Sequence, residues 1–277
     1  MRVIAALALA LAAAPSIAAA QRFRDRDHGD TAAWLDDCRD QNRRWDDRDR
    51  ERHCEVRLSS VRATGGTLQI DASMNGSVSV IGGDVNTIQV VAKIQADAES
   101  MDEARRMARE IRIEVTPTSI SATGPTLGRR MGWAVSFDVT VPRNQSISAE
   151  THNGGVFLEG LNGTVEARAV NGPVTIREMS GDVTGRTTNG PITAELSGTS
   201  WQGRGLDLQT TNGPVTVRIP ENYNAHLETG TVNGPMRIDF PVTVQGRITK
   251  RFSVDIGKGG PTVRAVTTNG PVVIRRS

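Results

Sequence analysis

Over the second half of the chain, apolar and polar residues alternate in short runs, and the runs repeat in phase. Val174/Ile176, Ile192/Ala194, Val215/Val217, Met236/Ile238 and Val272/Ile274 occupy the same two offsets after a turn signal. Thr175/Arg177, Thr193/Glu195, Thr216/Arg218, Arg237/Asp239 and Val273/Arg275 occupy the alternate ones. A period of two marks a strand with one face buried and the other in water. Each run therefore reads as a strand of about five residues, apolar side in. A second set of runs does the same less cleanly, through Val165/Ala167/Ala169, Leu206/Leu208 and Phe252/Val254/Ile256. Their smaller residues, set against the larger ones of the first set, would fill a narrow interior.

The turn signals are themselves periodic. Asn-Gly begins at Asn153, Asn162, Asn171, Asn189, Asn212, Asn233 and Asn269, with Ser180-Gly181 filling a missing half-step. The first intervals are nine, nine and eighteen residues, and the last is thirty-six. The intervals on either side of Asn212 fit eighteen plus insertions around "SWQGRG" and "PENYN". Such a period predicts a stacked repeat architecture. Asn-Gly ordinarily signals a tight hairpin, but Pro follows it at five of these seven sites. The residue after Gly must donate the hydrogen bond that closes a two-residue hairpin, and proline has no N–H. The chain is therefore expected to turn a corner and open a strand in a second sheet, with Gly supplying a positive φ. The fold class predicted is all-β: a β-solenoid, β-helix-like, of short two-strand coils. Equivalent residues would recur about 4.8 Å apart. That spacing makes Asn171, Asn189, Asn212, Asn233 and Asn269 candidates for an amide ladder of the kind stacked asparagines form. The alternative is that Asn only tolerates the left-handed backbone of a turn.

Upstream, Gly65-Gly66, Asn75-Gly76 and Gly82-Gly83 separate runs such as "SVSVI" and "TIQVVAKI". One helix is predicted over 101–110, where Ser100 and Glu103 make a capping box and Met101, Ala104, Met107, Ala108 and Ile111 share a face. It should pack over one face or end of the sheets and lead into the strand "IRIEV". Residues 1–20 have the positive start, short apolar core and A-x-A end of a signal peptide, with cleavage expected between Ala20 and Gln21. Residues 21–57 are dense in Arg and Asp and hold both cysteines, Cys38 and Cys54, with Trp34, Leu35 and Trp45 as main apolar content. A disulfide is the simplest reading in an exported chain, and zinc with His53 and His28 is the alternative. This segment reads as an interaction or capping arm, and 58–277 as the repeat domain. Solenoid ends expose strand edges, and the chain stops just after Val273-Ile274. An open C-terminal edge guarded by Arg275-Arg276 is thus expected.

The stretch "VSFDVTVPRNQSISAETHNGG", continuing through "VNGPVTIREMSGDVTGRTTNGPITAEL", resembles a bacterial β-strand-repeat family that bears the label "putative adhesin". Members carry a "TVP" strand followed by N-G-[DP]-V-x-[VIL] steps. The likeness covers about residues 64–277 and implies an extracytoplasmic β-solenoid, the adhesin label being inferred from shape. Family members commonly have Asp after Asn-Gly where this chain prefers Pro, and the arm lies outside the likeness.

Charge and composition narrow the function classes. A net charge of +2 supplies no global field for nucleic acid. Aromatics at 4% do not furnish the girdles of an outer-membrane barrel, and no later segment is apolar over a membrane-spanning length. The outward set Thr175, Arg177, Thr193, Glu195, Thr216, Arg218, Arg237 and Asp239 is the candidate binding face. Its mixed character does not match the paired carboxylates of a polysaccharide-cleaving β-helix. His152 and His226 stand without a G-x-S-x-G or a free Cys nearby and read as turn or surface residues. Gly82-Gly83-Asp84 matches a calcium nonapeptide only in part, and "GKGG" at 257–260 lacks P-loop spacing. No catalytic residue, metal or cofactor is assigned. The expectation is a non-enzymatic, exported binding module, periplasmic or at the cell surface, whose partner is an envelope polymer or protein. The alternatives are a polysaccharide-active enzyme and a component of an envelope-stress response.

Overall fold

The computed structural model describes residues 31–44, 50–240 and 251–277. The expected signal cleavage at Ala20–Gln21 and Trp45 lie outside the described residues.

Alternation organises two ten-stranded sheets, mostly parallel. Sheet A holds β1 (Glu51–Arg62), β3 (Val78–Gly83), β4 (Thr87–Ala98), β7 (Gly132–Pro142), β9 (Val156–Glu159), β11 (Val174–Arg177), β13 (Ile192–Glu195), β15 (Val215–Ile219), β17 (Met236–Ile238) and β20 (Val272–Arg276). Sheet B holds β2 (Leu68–Asp71), β5 (Arg112–Val115), β6 (Ser119–Thr123), β8 (Ile147–Asn153), β10 (Thr164–Asn171), β12 (Asp182–Asn189), β14 (Gly205–Asn212), β16 (Ala225–Asn233), β18 (Arg251–Ile256) and β19 (Thr262–Asn269). A coil is one strand of sheet B followed by one of sheet A, and the apolar offsets of both meet in a shared core. Val174, Ile176, Ile192, Ala194, Val215, Val217, Val272 and Ile274 are all buried, while Met236 and Ile238, near the end of the stack, are half-buried. Gly185 shows how narrow the interior is. A Cβ there would lie 3.1 Å from Ile176 Cδ1 and 3.0 Å from Leu208 Cδ2.

The corners follow the missing-donor logic. Gly172 N–H donates to Asn189 O of the neighbouring coil at 3.0 Å, and Val174 N–H to Pro191 O at 3.0 Å. The residue between them, Pro173, occupies the one place in the corner that has no ladder partner. Where that place is not proline, its N–H finds a hydroxyl: Ser77 N donates to Ser136 Oγ at 3.0 Å, and Gly155 N to Ser77 Oγ at 3.2 Å.

The role expected for Gly at the corner holds at some corners and not at others. Gly76, Gly213 and Gly270 have positive φ, at 149°, 158° and 154°, whereas Gly154, Gly172, Gly190 and Gly234 do not. They form a column in which backbones nearly touch. A Cβ on Gly172 would sit 1.9 Å from Gly154 O, and one on Gly190 would sit 2.1 Å from Gly172 O. Close approach excludes the side chain throughout the column, and backbone handedness adds to it only at Gly76, Gly213 and Gly270.

Coil order is a second correction. The stack reads β6/β7, β2/β3, β8/β9, β10/β11, β12/β13, β14/β15, β19/β20, β16/β17. At each end one coil is inserted between two others: β2/β3 lies inside β6/β7, and β19/β20 lies inside β16/β17. Among the described residues, the interval between Asn233 and Asn269 holds β17, β18 and β19 and no further stacked coil. Phe252, Val254 and Ile256 belong to β18, which runs antiparallel to β16 at the sheet edge and so is no half-coil. β20 is interior, between β15 and β17, so the chain's last strand is not the open edge that Arg275-Arg276 was expected to guard. Arg276 instead ion-pairs with Glu221 at 2.9 Å.

The other end closes with antiparallel β4 and β1 beyond β7, and β5 beyond β6. Helix α1 (Thr31–Arg44) packs on β1 and is tied to it by the Cys38–Cys54 disulfide. Trp34 on α1 receives Lys93 Nζ 5.9 Å from its ring centre. Residues 51–57, grouped by composition with the arm, are strand of sheet A. Helix α2 (Met101–Glu110) is capped by Ser100, whose hydroxyl accepts from Glu103 N at 3.3 Å, and it buries Ala104, Met107 and Ala108 over β4 and β1. Arg57 of β1 donates to the carbonyls of Ala108 and Ile111 at its C-terminal end, at 2.8 and 2.5 Å. A cation there also complements the helix dipole.

Candidate functional site

Three surfaces carry polar side chains in order. The first is the corner itself. Asn153 Nδ2 donates to Asn75 Oδ1, Asn171 to Asn153, Asn189 to Asn171, Asn212 to Asn189, Asn269 to Asn212 and Asn233 to Asn269, at 2.8–3.1 Å. The five asparagines singled out from sequence join Asn75 and Asn153 in one ladder of seven, about 29 Å long at the strand spacing. Its order follows the stack, with Asn269 ahead of Asn233. Two residues before the Asn, a buried threonine makes a second column. Thr187, Thr210, Thr267 and Thr231 donate to the carbonyls of Gly172, Gly190, Gly213 and Gly270 at 2.9–3.0 Å. Sequence reasoning missed this column, although the recurrent "TTNG" was its signal: the first Thr of that motif points in.

The second surface is the outer face of sheet A, the candidate binding face. Register aligns Thr175, Thr193 and Thr216 across β11, β13 and β15, and Arg177, Glu195 and Arg218 beside them. Arg177 lies 3.7 Å from Glu195 and covers the Phe157 ring at 5.5 Å. Arg237 pairs with Asp239 at 2.7 Å. The two acids do not share a site: Glu195 and Arg177 line one shallow hollow of about 300 Å3, Asp239 and Arg237 another of about 320 Å3.

The third surface, on sheet B, was not anticipated. A groove of about 790 Å3 crosses the outer face from Glu150 on β8 to β16, with Arg251, Phe252 and Ser253 of β18 as its far wall. Arg168 and Arg186 rise from its floor beside a row of exposed hydroxyls, Thr188, Thr211 and Thr268. Charges alternate across the strands. Arg186 meets Asp207 at 3.4 Å, Asp207 meets Arg264 at 2.6 Å, and Arg264 meets Glu228 at 3.8 Å. Arg264 stands between the two acids because β19 lies between β14 and β16. With β16 directly beside β14, Glu228 would face Asp207. On sheet A the same insertion sets Arg275 beside Arg218, so the electrostatic gain belongs to sheet B alone. These pairs are part-exposed and contribute about 0.2–1 kcal/mol each.

Next to Ser253 and Glu228, which line the groove's end, stands His226, itself outside the lining. Its Nδ1 lies 2.7 Å from Asp255 Oδ1, and its Nε2 lies 3.0 Å from Ser253 Oγ and 3.9 Å from Glu228 Oε1. The partners sit 27 and 29 residues downstream, on a strand whose antiparallel return nothing local announces. His152 does not join this cluster. Asp84, in the partial calcium motif, pairs with Arg143 at 3.2 Å. Lys258, in "GKGG", donates its N–H to Asn224 Oδ1 at 2.8 Å in the β18–β19 turn.

Burial separates two further groups. Desolvation alone pushes the Tyr223 phenol up to about 12. At Glu55, burial works to raise the carboxyl, but hydrogen bonds and charge from Arg57 and His53 outweigh it and hold the group below its ordinary value.

No family model matches the chain, and no curated protein matches it. Solved structures similar to it include a "putative cell adhesion protein" from Clostridium sporogenes, at 11% identity and a TM-score of 0.43, covering 81% of this chain and 100% of that one. A "putative adhesin" from Bacteroides fragilis matches at 14% identity and a TM-score of 0.35, over 80% and 97%. A "putative lipid binding protein" from Parabacteroides distasonis matches at 8% and 0.25, over 80% and 96%. Likeness at this level assigns no ligand, partner or reaction to the chain.

Proposed function

We propose that the protein is an exported, adhesin-like binding module of the cell envelope, a β-solenoid that holds an extended polymer or a protein partner against its outer faces. The observation that carries this reading is the sheet B groove, open to solvent along its length and floored by ordered hydroxyls and arginines. The Cys38–Cys54 disulfide favours an oxidising compartment, periplasm or cell surface. Among the described residues no helix is long and apolar enough to cross a membrane. The Thr and Arg face of sheet A is a second contact surface in this reading. Polysaccharide cleavage by Glu195 and Asp239 is disfavoured, because each acid is paired with its own arginine in a separate hollow.

The test is co-sedimentation of the purified protein with isolated envelope polymers and affinity measurement against solubilised envelope proteins. Arg186→Glu, which places a second negative charge against Asp207 on the groove floor, should weaken binding at least several-fold. Arg218→Glu tests sheet A in the same way. Failure to bind any envelope polymer or protein would overturn the proposal.

A further inference from the structure

Ser253, His226 and Asp255 stand in the relation of a nucleophile, a base and the group that orients the base. A serine hydroxyl is a weak nucleophile until a base within about 2.6–3.2 Å can take its proton. Here Ser253 Oγ is 3.0 Å from His226 Nε2, and Asp255 Oδ1 is 2.7 Å from the opposite ring nitrogen. With Nδ1–H donating to Asp255, Nε2 keeps its lone pair toward Ser253 Oγ, the tautomer that such a triad requires. Glu228 is the competing carboxylate, but at 3.9 Å it is beyond hydrogen-bond reach of Nε2 and leans toward Arg264.

The register builds the cluster. Asp255 lies directly opposite His226, and Ser253 directly opposite Glu228, so Ser253 and Asp255 on one face of β18 bracket the imidazole from β16. Behind Asp255, Gly259 comes so close that a Cβ would lie 3.3 Å from Oδ1, while the rest of the carboxylate stays largely exposed. Arg251, next along the same face, lies opposite Gly230. Gly230, Arg251 and Ser253 together line the groove's end.

We infer that this cluster is a serine-ester hydrolysis site acting on O-acyl groups carried by an extended polar chain lying in the sheet B groove. This goes beyond the binding role. Ser253 Oγ bonds to the acyl carbonyl carbon as its proton passes to Nε2. The carbonyl oxygen takes up the negative charge at the groove end that Gly230 and Arg251 line. The ester C–O bond then breaks, and the departing alkoxide takes the proton from Nε2, leaving acyl-Ser253 and a free hydroxyl on the chain. Water repeats the sequence: its oxygen bonds to the carbonyl carbon, its proton passes through Nε2 to Ser253 Oγ, and a carboxylic acid leaves. The open groove end offers no deep acyl cavity, so the acyl group is short, of acetyl size.

The experiment uses the full chain with its disulfide formed. It is treated with a fluorophosphonate probe, the labelled peptide is mapped by mass spectrometry, and hydrolysis of p-nitrophenyl acetate is followed. The expected result is one adduct on Ser253, with hydrolysis reduced about a hundredfold in Ser253→Ala and in His226→Gln. Asp255 is a positioning residue, and Asp255→Asn should lower kcat at unchanged KM. Circular dichroism and the urea midpoint identify any variant that fails to fold, and adduct mapping on the unaltered protein needs no variant. Absence of an adduct on Ser253 overturns the inference, as does hydrolysis undiminished in a folded Ser253→Ala. Polymer co-sedimentation by Ser253→Ala separates the two ideas: retained binding with lost hydrolysis leaves the binding module standing, whichever way the chemistry falls.

Discussion

Replacing Gly190 by alanine tests the corner column most directly. A Cβ there would lie 2.1 Å from Gly172 O and 2.6 Å from Gly172 C, against an ordinary contact of 3.4 Å or more. Both obstacles are backbone, so no rotamer relieves the clash and the neighbouring coils must part by more than an ångström. The bonds in reach of that opening are Gly172 N–H to Asn189 O at 3.0 Å, Thr187 Oγ1 to Gly172 O at 2.9 Å, and Asn189 Nδ2 to Asn171 Oδ1 at 2.8 Å. At about 1 kcal/mol each, their loss destabilises by about 3 kcal/mol. The same substitution at Gly66 meets only Thr118 Cγ2 at 3.7 Å, and its φ is not positive. There alanine should stabilise by about 0.5 kcal/mol, through lower entropy of the unfolded chain. Urea unfolding followed by tryptophan fluorescence and circular dichroism measures both. Gly190→Asn decides between causes, since Asn tolerates left-handed backbone but also carries a Cβ. A Gly190→Ala loss under about 1 kcal/mol, or stability regained in Gly190→Asn, would refute close approach as the reason for glycine.

The asparagine ladder predicts a position effect: Asn189→Ala removes two amide bonds and Asn233→Ala one, so urea midpoints should show about twice the loss for Asn189, near 1–2 kcal/mol. Reducing Cys38–Cys54, which closes a separation of 16 residues, should cost about 3 kcal/mol, with the loss abolished in Cys38→Ser/Cys54→Ser as the control. Tyr223 is the chain's single tyrosine, so tyrosinate absorbance reports it alone and should titrate near 12 in the folded protein. Because the folded value is raised, its contribution is complete below the unfolded value of 10 and is lost as pH rises through 12. Tyr223→Phe should remove that part of the alkaline fall in stability.

Helix α2 was legible to the residue because its signals are local: Ser100 caps and Met107 and Ala108 share a face. The corner was legible because proline's missing donor is a property of one residue. The ladder, too, followed from phase once a stack was assumed. The column of glycines was legible as a pattern but not in its cause, since a sequence does not record how near another backbone comes. His226 acquired its meaning only when β18 returned antiparallel and brought Ser253 and Asp255 beside it.

The sequence by itself determined that these strands alternate, that they turn corners, and that the Asn-Gly-Pro coils present Asn, Gly and an apolar pair at the same offsets, most with a Thr two residues before the Asn. That uniformity is also why it left the order of coils open. Parallel neighbours with identical offsets make the same backbone and amide hydrogen bonds in any order, so local pairing does not distinguish β14 beside β16 from β14 beside β19. Tertiary structure decided it, through contacts that differ from coil to coil: Arg264 set between Asp207 and Glu228, and edges closed by the antiparallel strands β18, β5, β4 and β1.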